Sequence, residues 1–449
     1  MSLSDTPPFP FLKLPIELRQ MVLDHLFIDD PKQLLSFRAT CRPLDQLCVN
    51  KYASYLINAD YDLMLTRANL KFLTNISKKD KFRLKVRKLV VCTAHLSEHD
   101  FLCHKVPHGC NCGLDYPQKV DMYAAEKCQL KEERYRRHLS EQEKFIRSSD
   151  PVDVLSEALK GLDNCSSVVF TDKSQKSEEV LRRPAGLTEL ESDIGVNLRW
   201  TLTYGEDDKS KTSGSEDFFK AALKIVLLAM ARSGRIIDDI DICVSPPFSE
   251  EYDPIRPSFL RFPQYERLFQ ERLRGLESLA MVLDSSTVRS LGAPAPDLES
   301  INPVQDDSTA QDVLDFLKIW PNLLSLSIKF NGYSDDDGRL FPELAASLHH
   351  PNLVELAVYG ATITWNELNT IVQKHGALKR LDLREVIFKD FDDTDLRTLS
   401  LAAGRSLTFD LACIGDNNEG DYQYDPFNTE SGPGRFTIYG ESSLDSAVT

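Results

Sequence analysis

Apolar and polar positions follow two different rules along this chain. Over residues 9–56 apolar side chains are dense, 25 of 48 against 42% for the whole sequence, and fall at helical intervals. Beyond residue 86 they recur at relative positions one, four and six, each triplet followed by a helical or irregular connection. That pattern predicts short half-buried strands stacked side by side. The first pattern predicts a small all-helical unit with more apolar surface than its own core can hide.

Three helices follow from the local chemistry of that unit. Pro15 suits a first helical position, where its missing N–H costs nothing, and Glu17 sits near the positive end of the helix dipole. Helix one then runs to about Phe27. Asp30 before Pro31 caps helix two, which ends near Cys41 because Pro43 restricts Arg42 and lacks a donor. Helix three continues to about Leu56. On helix one, Leu14, Leu18, Met21, Val22 and Leu26 share one stripe, and Ile16, Leu23 and Phe27 form another. One stripe is expected to close the small core and the other to dock on a partner.

The order Leu14-Pro15-Ile16-Glu17-Leu18, then Leu26, Leu34-Leu35, Arg38, Cys41-Arg42 and Leu47, resembles an F-box. The aromatic residue commonly found after the Cys is absent, and Arg42-Pro43-Leu44 stands there instead. The resemblance implies a module that binds a Skp-family linker and, through it, a cullin. By that analogy Leu14, Pro15, Ile16, Leu18, Met21, Val22 and Leu26 face the linker, with Leu34, Leu35 and Arg38 contributing from helix two. Their work is burial and orientation, and ubiquitin transfer belongs to other subunits.

The clearest triplets of the second pattern are Leu276, Leu279, Met281; Leu323, Leu326, Ile328; Leu353, Leu356, Val358; and Leu378, Leu381, Leu383. Further copies are Val86, Leu89, Val91; Cys165, Val168, Phe170; and Ile237, Ile240, Ile242, with a weaker one at Leu298 and Ile301. Helices are expected between them, at Thr309 to Trp320, Phe341 to Leu348, Trp365 to His375 and Asp393 to Ala402. This stretch resembles leucine-rich repeats, in which each unit buries its apolar side only by stacking on its neighbours. Asn331 alone occupies the repeat's asparagine position in the four clear copies.

The expected fold class is therefore α/β: a three-helix F-box-like unit at 9–56, a connecting basic helical segment at 57–85, an irregular leucine-rich-repeat-like arc of parallel strands and helices with insertions at 86–414, and an acidic loop-rich tail at 415–449. The insertions at Tyr204 to Asp217 and Ser245 to Pro263 read as loops. Asp121 to Arg147 reads as a long polar helix laying a sparse stripe of Cys128, Tyr135, Leu139 and Ile146 across the main body.

Charge changes this picture at two places. The chain carries a formal −16, and −8 of it falls in residues 384–449. Residues 67–88 run the other way, with nine Lys or Arg against Asp80 alone. An acidic protein without interleaved aromatics is a poor nucleic-acid binder, so this run is read as a solvated helix face and strand start. No apolar stretch is long enough to span a bilayer and the N-terminus lacks a signal layout, which places the chain in the cytoplasm or nucleus. Ten irregularly spaced cysteines are expected to be reduced.

One cluster resembles chemistry. His95, His99, Cys103, His104, His108, Cys110 and Cys112 fall within 18 positions, and Cys103, His108, Cys110 and Cys112 offer the four N or S donors that zinc needs. The Cys-x-Cys spacing is unlike a finger and no distant pair completes a cross-brace, so incidental reduced side chains are the plainer reading and no cofactor is required. Phosphate-cradling loops, nucleophile elbows and zinc-protease motifs are missing from the sequence. The expected function is that of a non-catalytic adaptor recruiting an unidentified protein client to a Skp-cullin-F-box type ubiquitin ligase. The alternatives are a non-degradative F-box scaffold, or a zinc-binding protein or enzyme centred on residues 103–112.

Overall fold

The computed structural model describes residues 11–26, 36–48, 60–93, 95–96, 122–171, 186–194, 213–242, 255–284, 310–331, 340–389, 407–413 and 435–438. It is an α/β protein built on one mostly parallel sheet. The strands are β1 (Asp60–Met64), β2 (Lys88–Cys92), β3 (Ser167–Thr171), β4 (Asp239–Ile242), β5 (Ser278–Asp284), β6 (Ser325–Asn331), β7 (Glu355–Tyr359), β8 (Thr362–Thr364), β9 (Arg380–Lys389), β10 (Leu407–Cys413) and β11 (Arg435–Ile438). Sheet order follows chain order throughout, with β8 set beside β9 and only β11 antiparallel, against β10. A sheet that never reverses its order has no switch-point crevice, the usual ligand site of doubly wound folds.

The helices are α1 (Ile16–Leu26), α2 (Arg67–Ser77), α3 (Asp80–Arg83), α4 (Met122–Arg147), α5 (Asp150–Gly161), α6 (Leu187–Ile194), α7 (Ser213–Ser233), α8 (Glu266–Arg272), α9 (Ala310–Leu317), α10 (Leu340–Ser347) and α11 (Trp365–Lys374). Among the described residues no helix is long and apolar enough to cross a membrane.

Every full apolar triplet read from the sequence is a strand start in register with its neighbours. Position four forms the row Leu89, Val168, Ile240, Leu279, Leu326, Leu356, Leu381, and position six the row Val91, Phe170, Ile242, Met281, Ile328, Val358, Leu383. Position one, from Val86 and Cys165 to Leu353 and Leu378, is buried in every copy. These rows meet Leu70 and Leu73 of α2, Leu155 and Leu159 of α5, Phe219 and Leu223 of α7, Phe316 and Leu317 of α9, Leu344 of α10 and Ile371 of α11 in one continuous core. Right-handed crossovers between parallel neighbours put such helices on one side of a sheet.

A backbone motif repeats at the start of each strand. The N–H groups of positions two and three both reach the position-two carbonyl of the preceding strand: Leu324 and Ser325 bond Glu277, Val354 and Glu355 bond Leu324, and Lys379 and Arg380 bond Val354, all within 2.7–3.1 Å. The same pattern joins Ser166 and Ser167 to Arg87, Asp238 and Asp239 to Ser166, and Glu277 and Ser278 to Asp238. Two asparagines brace it from the side, Asn164 donating to the Leu84 carbonyl at 2.8 Å and Asn322 to that of Arg274 at 2.9 Å.

Several expectations shift. The sheet starts at β1, inside the segment read as a connector, and ends at β11, inside the segment read as a loop-rich tail. Neither strand carries the full one-four-six triplet, which is why the pattern passed over them. β5 pairs directly with β6, so no strand separates them, and Leu298 and Ile301 lie outside the described residues. Asp393 to Ala402 also lies outside them. Helices α9, α10 and α11 fall where the periodicity put them, and α11 begins with a full capping box between Thr364 and Glu367.

Gly360, between β7 and β8, has φ +67°, and a Cβ there would lie 2.4 Å from the Phe330 carbonyl oxygen. Replacing Gly360 with Ala should therefore cost at least about 2 kcal/mol, and Leu353→Ala about 2–5 kcal/mol through the cavity it opens. Denaturant unfolding of the two variants beside the parent checks both.

Candidate protein-docking site

The N-terminal unit forms a core of its own. Leu23 of α1 is fully buried against Cys48, with Phe11, Phe37 and Leu47 packed around them. Phe11 meets Phe37 edge to face at 5.8 Å. The helix starts one residue later than expected: Pro15 is the last residue before Ile16, and its carbonyl takes the first helical bond from the Arg19 N–H at 3.0 Å. Residues 36–38 and 42–48 are helical, so Pro43 falls in the first turn of the last helix, where it is tolerated.

The other side of α1 is open. Leu18 is 46% exposed and Met21 57%, while Leu14 and Val22 are half-buried and Pro15 is exposed. Ile16, expected to share the stripe of Leu23, is 57% exposed, because it stands in the first turn beyond the reach of the small core. Arg38 is turned inward. Its Nε donates to Asp45 Oδ1 at 2.7 Å, which ties residues 36–38 to the last helix and gives this side chain a structural partner. Leu34, Leu35 and the side chain of Leu26 lie outside the described residues. An apolar ridge of this kind binds by burial, each well-covered side chain contributing about 1.5–3 kcal/mol.

A second surface lies on the side of the sheet away from the main helix layer. Its outermost row reads Asp60, Lys88, Ser167, Asp239, Ser278, Ser325, Glu355, Arg380, Thr408, and its central row Asp62, Val90, Val169, Asp241, Ala280, Ser327, Ala357, Asp382, Asp410. Over β1 and β2 this side is closed, because Tyr135 and Leu139 of α4 and Leu187, Leu190 and Ile194 of α6 cover Met64, Cys92 and Leu96. Gln142 locks α4 in place by exchanging two 2.9 Å bonds with the Leu96 backbone. Arg134, Arg137 and His138 of α4 hold Asp193 of α6, and the His138 hydrogen bond at 2.7 Å leads in lowering the Asp193 carboxyl below its ordinary value.

Toward β9 the same side is open and polar. Arg384 grips Asp382 through two bonds of 2.8 and 3.0 Å, and its guanidinium lies 5.7 Å from the Tyr359 ring centre. Tyr359 donates to Asp382 at 3.4 Å, and burial followed by the Asp382 charge raises its phenol above the ordinary value. The one-four-six reading gave no sign of this trio, because it records apolar positions and these occupy the residues between. Of the two bracing asparagines, Asn322 had a legible signal, the Pro-Asn-Leu triplet at 321–323.

Cys103, His108, Cys110 and Cys112 lie outside the described residues, and among the described ones no group of three or more His, Cys, Asp and Glu is placed to hold a metal ion. His95, the described member of that run, is buried, stacked on Phe218 at 4.4 Å, with Nδ1 3.1 Å from the Thr93 carbonyl. No family model matches the chain, and no curated protein matches it.

Burial draws His95 down to about 4, against the opposing hydrogen bond to Thr93. It does the same to His350, with the neighbouring His375 and His349 adding to the effect. The unfolded chain takes up these protons near 6.5 and the folded one only near 4. Stability contributed by the two neutral rings is thus complete above about pH 6.5 and falls as pH drops toward 4. Denaturation midpoints measured across that window should decline, and His95→Asn should flatten the decline.

Proposed function

We propose that this chain is a substrate-recruiting, non-catalytic adaptor of a Skp-cullin-F-box type ubiquitin ligase. The N-terminal unit takes a Skp-family linker, and the leucine-rich-repeat-like arc takes a protein client. One observation carries the reading: α1 closes its own core through Leu23 and still presents Leu18 and Met21 to solvent on its other side. A helix that has satisfied its core on one side and keeps large apolar side chains on the other is built for a partner groove.

Two further features support it. The F-box-like order of residues from Leu14 to Leu47 falls on this unit, and its apolar cluster is separate from the main core. The sequential sheet that follows is a binding scaffold in type, with an outer side that is mostly polar and half-exposed in its first rows from β3 to β9. Arg38 supports the arrangement from within, by holding Asp45, and is not assigned to linker contact.

Pull-down with a Skp-family linker tests the reading. Leu18→Glu combined with Met21→Glu should lower recovery by about tenfold or more, since two anchors are lost from the contact. Both side chains are exposed, so thermal unfolding should match the parent. Equal recovery of parent and variant removes the docking role.

A further inference from the structure

The basic run at residues 67–88 is not used by the adaptor reading, and its nine cations divide into two groups. Three are engaged internally. Arg67 pairs with Asp150 at 3.0 Å, Arg83 reaches Asp80 and Asp163 at 2.8 Å, and Lys88 meets Asp60 at 3.2 Å. The other six, Lys71, Lys78, Lys79, Lys81, Lys85 and Arg87, are exposed, and none is in an ion pair among the described residues.

They stand outward along α2, the turn after it and the approach to β2. In α2, Leu70, Leu73 and Ile76 point into the core and Thr66 caps the first turn, which turns Lys71, Phe72 and Asn75 outward with Lys78 and Lys79 beyond them. The Arg83 clamp on Asp80 and Asp163 holds the following turn so that Lys81, Leu84 and Lys85 stand out from it. Phe72 is 39% exposed and Leu84 46%, so the cations are interleaved with two large apolar side chains.

We propose that this surface docks an acidic segment of a partner protein that also carries a large apolar side chain. Carboxylates would meet the lysines, and the apolar group would cover Phe72 and Leu84. The acids of helix α5, packed beside α2, and Asp163 just beyond its end are already engaged, Asp150 by Arg67, Asp153 by Arg232, Glu157 by Lys160 and Asp163 by Arg83, so the six exposed cations keep their charge for a partner. A nucleic-acid strand would find on this segment only Phe72 exposed as a ring on which to stack, whereas an apolar side chain of a peptide can cover Phe72 and Leu84 together. The proposal stands independently of the linker contact at α1.

The test uses the full chain and fluorescence anisotropy with a labelled dodecapeptide of Glu containing two Leu, at about 150 mM salt. Its Gln counterpart, a single-stranded oligodeoxythymidylate and phosphatidylserine-containing phosphatidylcholine vesicles serve as rival probes. The Glu peptide should bind and the Gln peptide should not. The triple variant Lys78→Glu, Lys79→Glu, Lys81→Glu should weaken binding by about tenfold or more, whereas Arg272→Glu with Lys379→Glu, exposed cations elsewhere, should leave it unchanged. Lys78→Gln, Lys79→Gln, Lys81→Gln should fall between. Absence of binding, equal binding by the triple variant, or tighter binding of the oligonucleotide or vesicles overturns the proposal. Recovery of the linker by α1 is read separately and does not enter any of these outcomes.

Discussion

The structure depends on one repeated link: a position-two carbonyl that accepts the next strand's position-two and position-three N–H groups while the position-one side chain beside it is buried. A parallel strand of four to seven residues has too few ladder bonds to hold its place alone. Anchoring its first residues to the strand before, and its apolar alternate residues to the helix layer beneath, makes each unit's position a consequence of its neighbour's. The link recurs from Arg87 to Arg380, across connections of very different length. Insertions are tolerated for the same reason. They enter between anchored starts and disturb neither the register nor the buried rows.

One-sided burial follows from that link. The rows through Leu279 and Met281 face helices and are wholly apolar, while the rows through Ser278 and Ala280 face away and are small or polar over most of their length. Where an insertion supplies its own helices, at α4 and α6, even the outer side becomes core, and Met64 and Cys92 are lost to solvent. The outer side that α4 and α6 leave uncovered therefore begins beyond β2. Near β9 it carries Tyr359, Asp382 and Arg384, held by one another and so presented in a fixed arrangement.

The N-terminal unit obeys a different constraint. Its core, centred on Leu23 and Cys48, is small, supplemented by the partly exposed Arg38 to Asp45 bridge. That economy leaves Leu18 and Met21 free of internal duty. Exposed apolar side chains on a helix whose other side is closed, and exposed lysines between clamped arginines on the next helix, share a logic. In each case some members of a like set are consumed by the fold and the remainder are presented outward.

The seven apolar triplets were legible in the sequence because half-buried strands repeat with period two and a fixed lead residue, and no tertiary information is needed to see that. The run of α4 and the positions of α9 to α11 were legible for the same reason of period. Tertiary structure alone decided the rest. Strands β1, β10 and β11 lack the full triplet and become strands because a neighbour offers them open backbone groups. Ile16 is exposed, although its spacing matches Leu23, because the core ends one turn short of it. Arg38 is an internal brace because Asp45 comes within 2.7 Å of it, and which of nine neighbouring cations are neutralised depends on acids as distant in sequence as Asp150 and Asp163. Local periodicity fixes which side of an element is apolar; what covers that side, or leaves it open, is set by contacts between residues far apart in the chain.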